Sequence, residues 1–525
     1  MESVTPPVDR SKAGSGSAAA RVAVVALAAF LRLWQLELRP PHFDEGVFGL
    51  IADDIRQIGY YPYNPGYYHG PLLHYVLFGS TSLLGRNLWA LRLPEALAGI
   101  LLVDWIFRFE RFYGARVCLW TALAIAVSPA YVFFSRYAIQ ETWFTLFMIV
   151  AAWGVLGLLR EHARAYLWAA GMGLTGMILI KETYLVHLIC LLAAIPITSF
   201  LERVQGPIAN GSTTLLSMDD RRPEPARAKD VAAVTAVALI AILFFYSGNG
   251  RHVEGLAAMA ASFAFWAHTA GAHHSKPFQY FLELFLRNEP WAVCGLVVGL
   301  RYVLLPTPLG RPLRLLAVYA YGTLFAYSVI SYKTPWCVPA FAWPFFFLAS
   351  VAVSTVPVAR RTTATLMAFA AASSLMVYSA WLSLDLNFRR YTDPTEDYVY
   401  FHTFEDVSRI TTPLYALGRE DASNYLRRGL VIYDQPHPVP WLLADFSKVE
   451  YYPQIKRLPD YDADFLIVSE PRDRDVESTL KGDFFKETFS LRPGVAPITL
   501  YLRYSVFSHL LPGRDPEFRS GSGAR

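Results

Sequence analysis

Apolar blocks of about 15 to 20 residues recur from Arg21 to Leu384 of this 525-residue chain, the length at which a helix crosses a bilayer core. Lipid-facing backbone must satisfy its own hydrogen bonds, so such blocks fold as helices. Spans are expected at 21–38, 93–109, 116–134, 141–159, 166–181, 184–201, 231–247, 291–305, 314–331, 337–356 and 362–383. The chain is 54% hydrophobic and 17% charged, against about 25% charged residues in a soluble domain. The fold class expected is an α-helical polytopic membrane protein of about eleven transmembrane helices.

Arginines sit in a subset of the connecting loops: Arg108, Arg111 and Arg116; Arg160 and Arg164; Arg221, Arg222, Arg227 and Lys229; Arg311 and Arg314; Arg360-Arg361. Placing these loops in the cytoplasm leaves the apolar segment 71–85 lying along the outer interface instead of crossing. The N-terminus is then cytoplasmic. The outer face receives 39–92, the 135–141 turn, Lys181–Thr183, 248–290, Ser331–Trp336 and everything after Leu384.

Residues 385–525 carry more charge and no further span. Apolar runs at Leu430–Tyr433, Asp464–Val468 and Ile498–Tyr504 read as strands, and Thr403–Leu417 reads as a helix that Pro413 kinks or breaks. The domains expected are a disordered tail at 1–20, a transmembrane domain at 21–384 with 39–92 as its first outer loop, and an extracytoplasmic α/β domain at 385–525. Asn210-Gly211-Ser212 matches a glycosylation sequon on the cytoplasmic side, where chance explains it. Cys118, Cys190, Cys294 and Cys337 lie in or beside spans without metal spacing and read as packing residues. A net charge of +4 gives no case for nucleic acid as a partner.

Polar residues that stand out gather on the outer side. Asp44-Glu45 follows the first span, and Arg136 and Glu141 flank a turn between two spans. Lys181-Glu182 ends a long apolar run, Tyr332-Lys333-Thr334-Pro335-Trp336 joins two more spans, and His273-His274-Ser275-Lys276-Pro277 lies in an outer loop. Each has a plainer reading. Asp44 caps the interfacial helix by accepting from backbone N–H groups at 46–47, and the lysines snorkel to headgroups. The His pair is an exposed loop, with no carboxylate or Cys at ligand spacing. Tyr60, Tyr61, Tyr63, Tyr67 and Tyr68 line a sugar or lipid groove, or form an aromatic belt. Together the set suits a phosphate-bearing amphiphile: Arg and Lys for phosphate, a carboxylate as general base.

These residues resemble the GT-C superfamily of membrane glycosyltransferases that use polyprenyl-phosphate sugars, which includes protein O-mannosyltransferases and lipid A aminoarabinose transferases. The resemblance rests on Asp44-Glu45 after the first span, His69-Gly70-Pro71 opening a juxtamembrane helix, Arg92-Leu93-Pro94 at the next span, and Arg136 with Glu141 where the superfamily carries Arg-x4-Asp. A closer resemblance is to a prokaryotic flippase-activity-associated subfamily, in His69-Gly70-Pro71, Lys181-Glu182-Thr183, Tyr332–Trp336 and Asp397-Tyr398-Val399-Tyr400. Glu141 departs from the usual Asp.

The resemblance implies transfer of a sugar from a polyprenyl-phosphate donor to an acceptor at the outer face of a prokaryotic plasma membrane, with inversion. Asp44 is then the general base and Glu141 a second catalytic carboxylate, converging on one cavity. Glu45, His69, Arg136, Lys181, Glu182, Lys276 and Lys333 bind substrate. No metal ligands are assigned, and a divalent cation held by Glu141 stays open. The alternatives are a non-catalytic partner in lipid-linked glycan export and a transporter, which more often shows repeats and broken helices in both halves.

Overall fold

The computed structural model describes residues 10–67, 69–205, 224–269, 275–305, 310–356, 362–452, 454, 458 and 460–520. The Asn210 sequon, Tyr68, the His273-His274 pair, Arg221, Arg222 and Arg360-Arg361 lie outside the described residues, as do 1–9 and 521–525 of the two tails. The chain divides into two compact units: Met1–Leu36 with Ile55–Arg390, and Glu37–Asp54 with Tyr391–Arg525.

The helices up to Arg390 are α1 (Arg10–Leu33), α2 (Phe43–Ile58), α3 (Leu72–Leu84), α4 (Leu88–Ile106), α5 (Glu110–Tyr113), α6 (Ala115–Val127), α7 (Pro129–Phe134), α8 (Gln140–Glu161), α9 (Arg164–Ile180), α10 (Tyr184–Gln205), α11 (Ala228–Tyr246), α12 (Glu254–Thr269), α13 (Tyr280–Asn288), α14 (Pro290–Leu304), α15 (Arg311–Val329), α16 (Val338–Ser354) and α17 (Thr363–Phe388). Every expected span is occupied by helix. Among the described residues, 5 helices are long and apolar enough to cross a membrane by length and composition, those beginning at Gln140, Tyr184, Ala228, Pro335 and Thr363. The helix α3, 13 residues long, measures about 20 Å, short of the roughly 30 Å hydrocarbon core. The first helix begins at Arg10, ahead of the expected Arg21, where Ala18-Ala19-Ala20 supply strong helix formers.

The expected span 116–134 is broken, for a reason local to Ser128-Pro129. Pro129 has no N–H to continue α6, and Ser128 caps the new helix by accepting from Tyr131 N–H. Glu289 completes the cap: its carboxylate takes the Ser128 hydroxyl at 2.7 Å and the Ala130 N–H at 2.8 Å. Arg32, fully buried, donates to the Ile125 and Ala126 carbonyls freed by the break and to Tyr131 O in the helix beyond it. Backbone that leaves the helix inside a membrane protein needs such partners.

The helices α8 and α9 form an antiparallel hairpin. Gly154 and Gly173 let the two backbones close up: a Cβ on Gly154 would stand 2.6 Å from the Tyr166 carbonyl oxygen, and one on Gly173 would stand 2.7 Å from that of Phe147. Small residues at a helix contact serve this purpose in membranes. Because the turn lies near residue 162, the start of α8 and the end of α9 meet.

The second unit contains a six-stranded sheet, β1 (Gly429–Ile432), β2 (Val449–Tyr451), β3 (Phe465–Ser469), β4 (Asp483–Phe489), β5 (Ile498–Arg503) and β6 (Phe518–Arg519), in the order β2-β1-β3-β5-β4-β6. The β2-β1-β3 part is parallel and the rest antiparallel. Around it lie α18 (Ser408–Glu420), α19 (Val439–Leu442), α20 (Asp473–Glu477) and α21 (Tyr504–Phe507). Alternate residues feed two cores. Val431, Phe465, Ile467, Leu500 and Leu502 pack with Ile410, Leu414 and Leu417 of α18. Leu430, Ile432, Leu466, Val468 and Tyr501 pack with Val476 and Leu480. Burial on both faces explains the unbroken apolar run Phe465-Leu466-Ile467-Val468. The α18 helix runs through Pro413 without the expected break.

Candidate active site

In the first unit the hairpin sets Glu141, in the first turn of α8, against Lys181, just past α9. The Lys181 ammonium donates to Glu141 Oε1 in a buried pair. The other oxygen, Glu141 Oε2, is buried with no hydrogen-bond partner. Behind Lys181 stands His187 of α10, bonded on one side to the Tyr319 hydroxyl at 2.8 Å and on the other to that of Tyr327 at 3.0 Å. Both Lys181 and Glu141 interact electrostatically with Cys337, which follows the Tyr332–Trp336 string.

The strings His69-Gly70-Pro71 and Lys181-Glu182-Thr183, far apart in sequence, form one structure. Gly70 N–H donates to Ile180 O at 3.0 Å. This requires glycine, since a Cβ there would stand 2.6 Å from the Leu179 carbonyl carbon. The docked loop brings His69 Nδ1 to 2.7 Å from Glu182 Oε2 and the Tyr63 hydroxyl to 3.2 Å from Oε1. His69 stacks on Trp266 of α12, ring centres 4.4 Å apart. Burial works against the Glu182 carboxylate, but the charge and hydrogen bond of His69 outweigh it and hold its pKa below the ordinary value. Burial and Glu182 push the Tyr63 hydroxyl up.

Arg136 is engaged with backbone. Its guanidinium donates to the carbonyls of Leu31, Trp34 and Gln35 at 2.8 Å and to Arg32 O at 3.3 Å, and lies 4.6 Å over the Phe388 ring. It gathers the orphan carbonyls at the end of α1. Burial, then Arg92, lowers its pKa to about 10, so it remains cationic at neutral pH. Lys333 Nζ donates to Lys276 O at 3.1 Å. The chain bridges Ser275 to Tyr332, and Lys276 lies 5.9 Å over the Tyr280 ring. Within this unit, then, Glu141 and Lys181 meet directly, and Cys337 lies within electrostatic reach of both.

In the second unit, the head of α2 divides the acidic pair. His42 precedes the helix, and its Nδ1 accepts the Asp44 N–H at 3.1 Å. Glu45 Oε2 accepts the His42 N–H at 2.8 Å, so histidine takes the place at this cap that Ser or Thr usually holds. Because Nδ1 accepts, Nε2 carries the proton and donates to Tyr400 O at 3.1 Å. Burial lowers the His42 pKa against the pull of Asp44 and Glu45, so the ring is neutral. Glu45 is wholly buried, whereas the Asp44 side chain keeps 18% of its surface in solvent and lies 3.6 Å from His42 Nδ1. His42, His187 and Trp266 carried no signal in the sequence beyond their type.

ArnT from Cupriavidus metallidurans bound to undecaprenyl phosphate superposes with a TM-score of 0.60 at 17% identity, covering 93% of this chain and 98% of that one. The chain has the fold of the GT-C glycosyltransferases. ArnT in the apo state matches at 0.58, with 15% identity over 94% of this chain and 99% of that one. The Archaeoglobus fulgidus oligosaccharyltransferase, in complex with Zn and sulfate, matches at 0.50 with 12% identity, covering 93% of this chain and 73% of that one. The family model for dolichyl-phosphate-mannose-protein mannosyltransferase matches residues 68–216. That family and these GT-C neighbours are glycosyltransferases. No curated protein sequence matches the chain. With GT-C neighbours and its apolar helices, it is a multi-pass membrane protein. Among the described residues no cluster of three His, Cys, Asp or Glu side chains is arranged to hold a metal ion.

Proposed function

We propose that this chain transfers a sugar from a polyprenyl-phosphate donor to an acceptor on the extracytoplasmic face of a prokaryotic plasma membrane, with Asp44 as general base. The observation that carries the assignment of the base is the division of the acidic pair: Glu45 is sealed beneath the cap, while Asp44 keeps contact with solvent. The acceptor hydroxyl gives its proton to Asp44 as its oxygen attacks the anomeric carbon. The bond from that carbon to the phosphate oxygen breaks, the polyprenyl phosphate leaves with the electron pair, and the anomeric centre inverts.

Lys181 and Lys333 are proposed to offset the phosphate charge, the task of fixed cations in such a transition state. Glu141 acts as the second catalytic carboxylate by holding the Lys181 ammonium. Arg136 serves through α1, since its donors already meet carbonyls. Glu45, His69, Glu182 and Lys276 complete the proposed substrate-binding set by supporting the loops that carry these groups. The Arg-rich loops argue for a cytoplasmic N-terminus and an outer C-terminal unit.

The test is release of polyprenyl phosphate from a panel of polyprenyl-phosphate hexoses, pentoses and aminopentoses, in membrane vesicles containing the full chain. Wild type is expected to turn over one of them. Turnover of none would sink the enzyme reading in favour of a non-catalytic partner in glycan export.

A further inference from the structure

The second unit is more than an appendage to the proposed chemistry, because it surrounds the head of α2. The loop after β1, Tyr433–Pro438, packs against that helix so closely that a Cβ on Gly46 would stand 2.5 Å from Pro438 Cα. The His437 ring meets the Phe43 ring edge-on at 5.1 Å. One side chain ties the arrangement together. Arg492, from the β4–β5 connection, donates to Gln435 O at 2.8 Å and to His437 O, and its guanidinium lies 4.8 Å over the Phe43 ring. Its backbone is fixed by Leu491, a core residue whose carbonyl accepts the Phe404 N–H at 2.8 Å.

Arg492 is only 1% exposed. Burying a cation is costly, and a neutral side chain that holds two carbonyls avoids the cost. Tyr433, then Asp434 and Asp44, act on its charge; Asp434 is exposed to solvent, and Asp44 heads the helix whose first ring Arg492 covers.

We propose that Arg492 is a positioning residue for Asp44: it clamps the Tyr433–Pro438 loop onto α2 and so fixes the helix turn that carries the Asp44 carboxylate. The proposal rests on the assignment of Asp44 as base. It gives the C-terminal α/β unit a part in the reaction itself.

The experiment compares Arg492→Gln, Arg492→Lys, Asp434→Asn and Asp44→Asn in the vesicle assay, with rates per folded protein and KM for the donor that wild type uses. Arg492→Gln is expected to lower kcat about 100-fold, the scale of a misplaced catalytic group, at unchanged KM. Arg492→Lys keeps the charge and recovers about 10-fold of that loss. Asp434→Asn leaves kcat unchanged. Should Arg492→Gln not fold, Arg492→Lys alone decides: a several-fold fall in kcat at constant KM supports the proposal, and an unchanged kcat overturns it. A loss that follows only the folded fraction, with no recovery by Lys, also overturns it. If Asp44→Asn abolishes transfer while Arg492→Gln keeps the wild-type kcat, this inference alone fails; if Asp44→Asn transfers normally, the base assignment falls as well.

Discussion

Lys181 and Glu141 form a buried ion pair. Removing one partner of such a pair strands the other and costs about 3–5 kcal/mol, whereas replacing both with apolar residues relieves much of that. Glu141→Gln is therefore expected to lower the unfolding midpoint of the detergent-solubilised protein more than the double variant Glu141→Leu with Lys181→Met. A double variant less stable than the single one would contradict the pairing. Glu182 gives a pH test. Its pKa is 4.5 in the ordinary state and lower when folded, because His69 outweighs burial. A depressed carboxylate contributes stability above its unfolded value and loses it as pH falls through the folded one. The penalty of Glu182→Gln should thus shrink as pH falls below 4.5; a penalty that grows below 4.5 would refute the His69 contact. At this scale the sequence showed which charges mattered more readily than what they did. Arg136 stood out as a cation, but a lone cation cannot announce that four carbonyls wait at the end of α1. His42 was hidden because histidine rarely replaces Ser or Thr at a cap.

Elements were more legible, since apolar blocks of span length leave helix as the only solution in lipid. The break at Ser128-Pro129 was written in the two residues that make it, yet the apolar letters on both sides concealed it. In the second unit, β1, β3 and β5 showed as apolar runs, while Val449–Tyr451 and Asp483–Phe489 carry polar residues and pass for loop. The contact between the His69-Gly70-Pro71 loop and α9 is an element-scale device that depends on one missing Cβ. Gly70→Ala drives that atom into backbone, which cannot move aside as a side chain can. It is expected to destabilise the protein by about 1–3 kcal/mol and to quench donor turnover as His69 leaves Glu182. Near-wild-type stability and turnover in that variant would show that the two strings are not coupled.

For the molecule as a whole, the unit boundary runs through α2. Its first residues, Phe43–Asp54, belong with the tail unit, and Ile55 onward with the helical one. Proximity in sequence alone groups the acidic pair with the first span, whereas its contacts group it with the tail unit. The pairing of Phe43 with His437 and Arg492 depends on a sheet assembled hundreds of residues later. One claim governs the account: Asp44 is the base for glycosyl transfer. It is tested most directly by donor turnover and lipid-phosphate binding in Asp44→Asn, side by side with wild type. The variant is expected to bind polyprenyl phosphate as wild type does and to lose turnover by a factor of about 100 or more, within the range that general-base catalysis supplies. Turnover within a few-fold of wild type, at equal lipid binding, would contradict it.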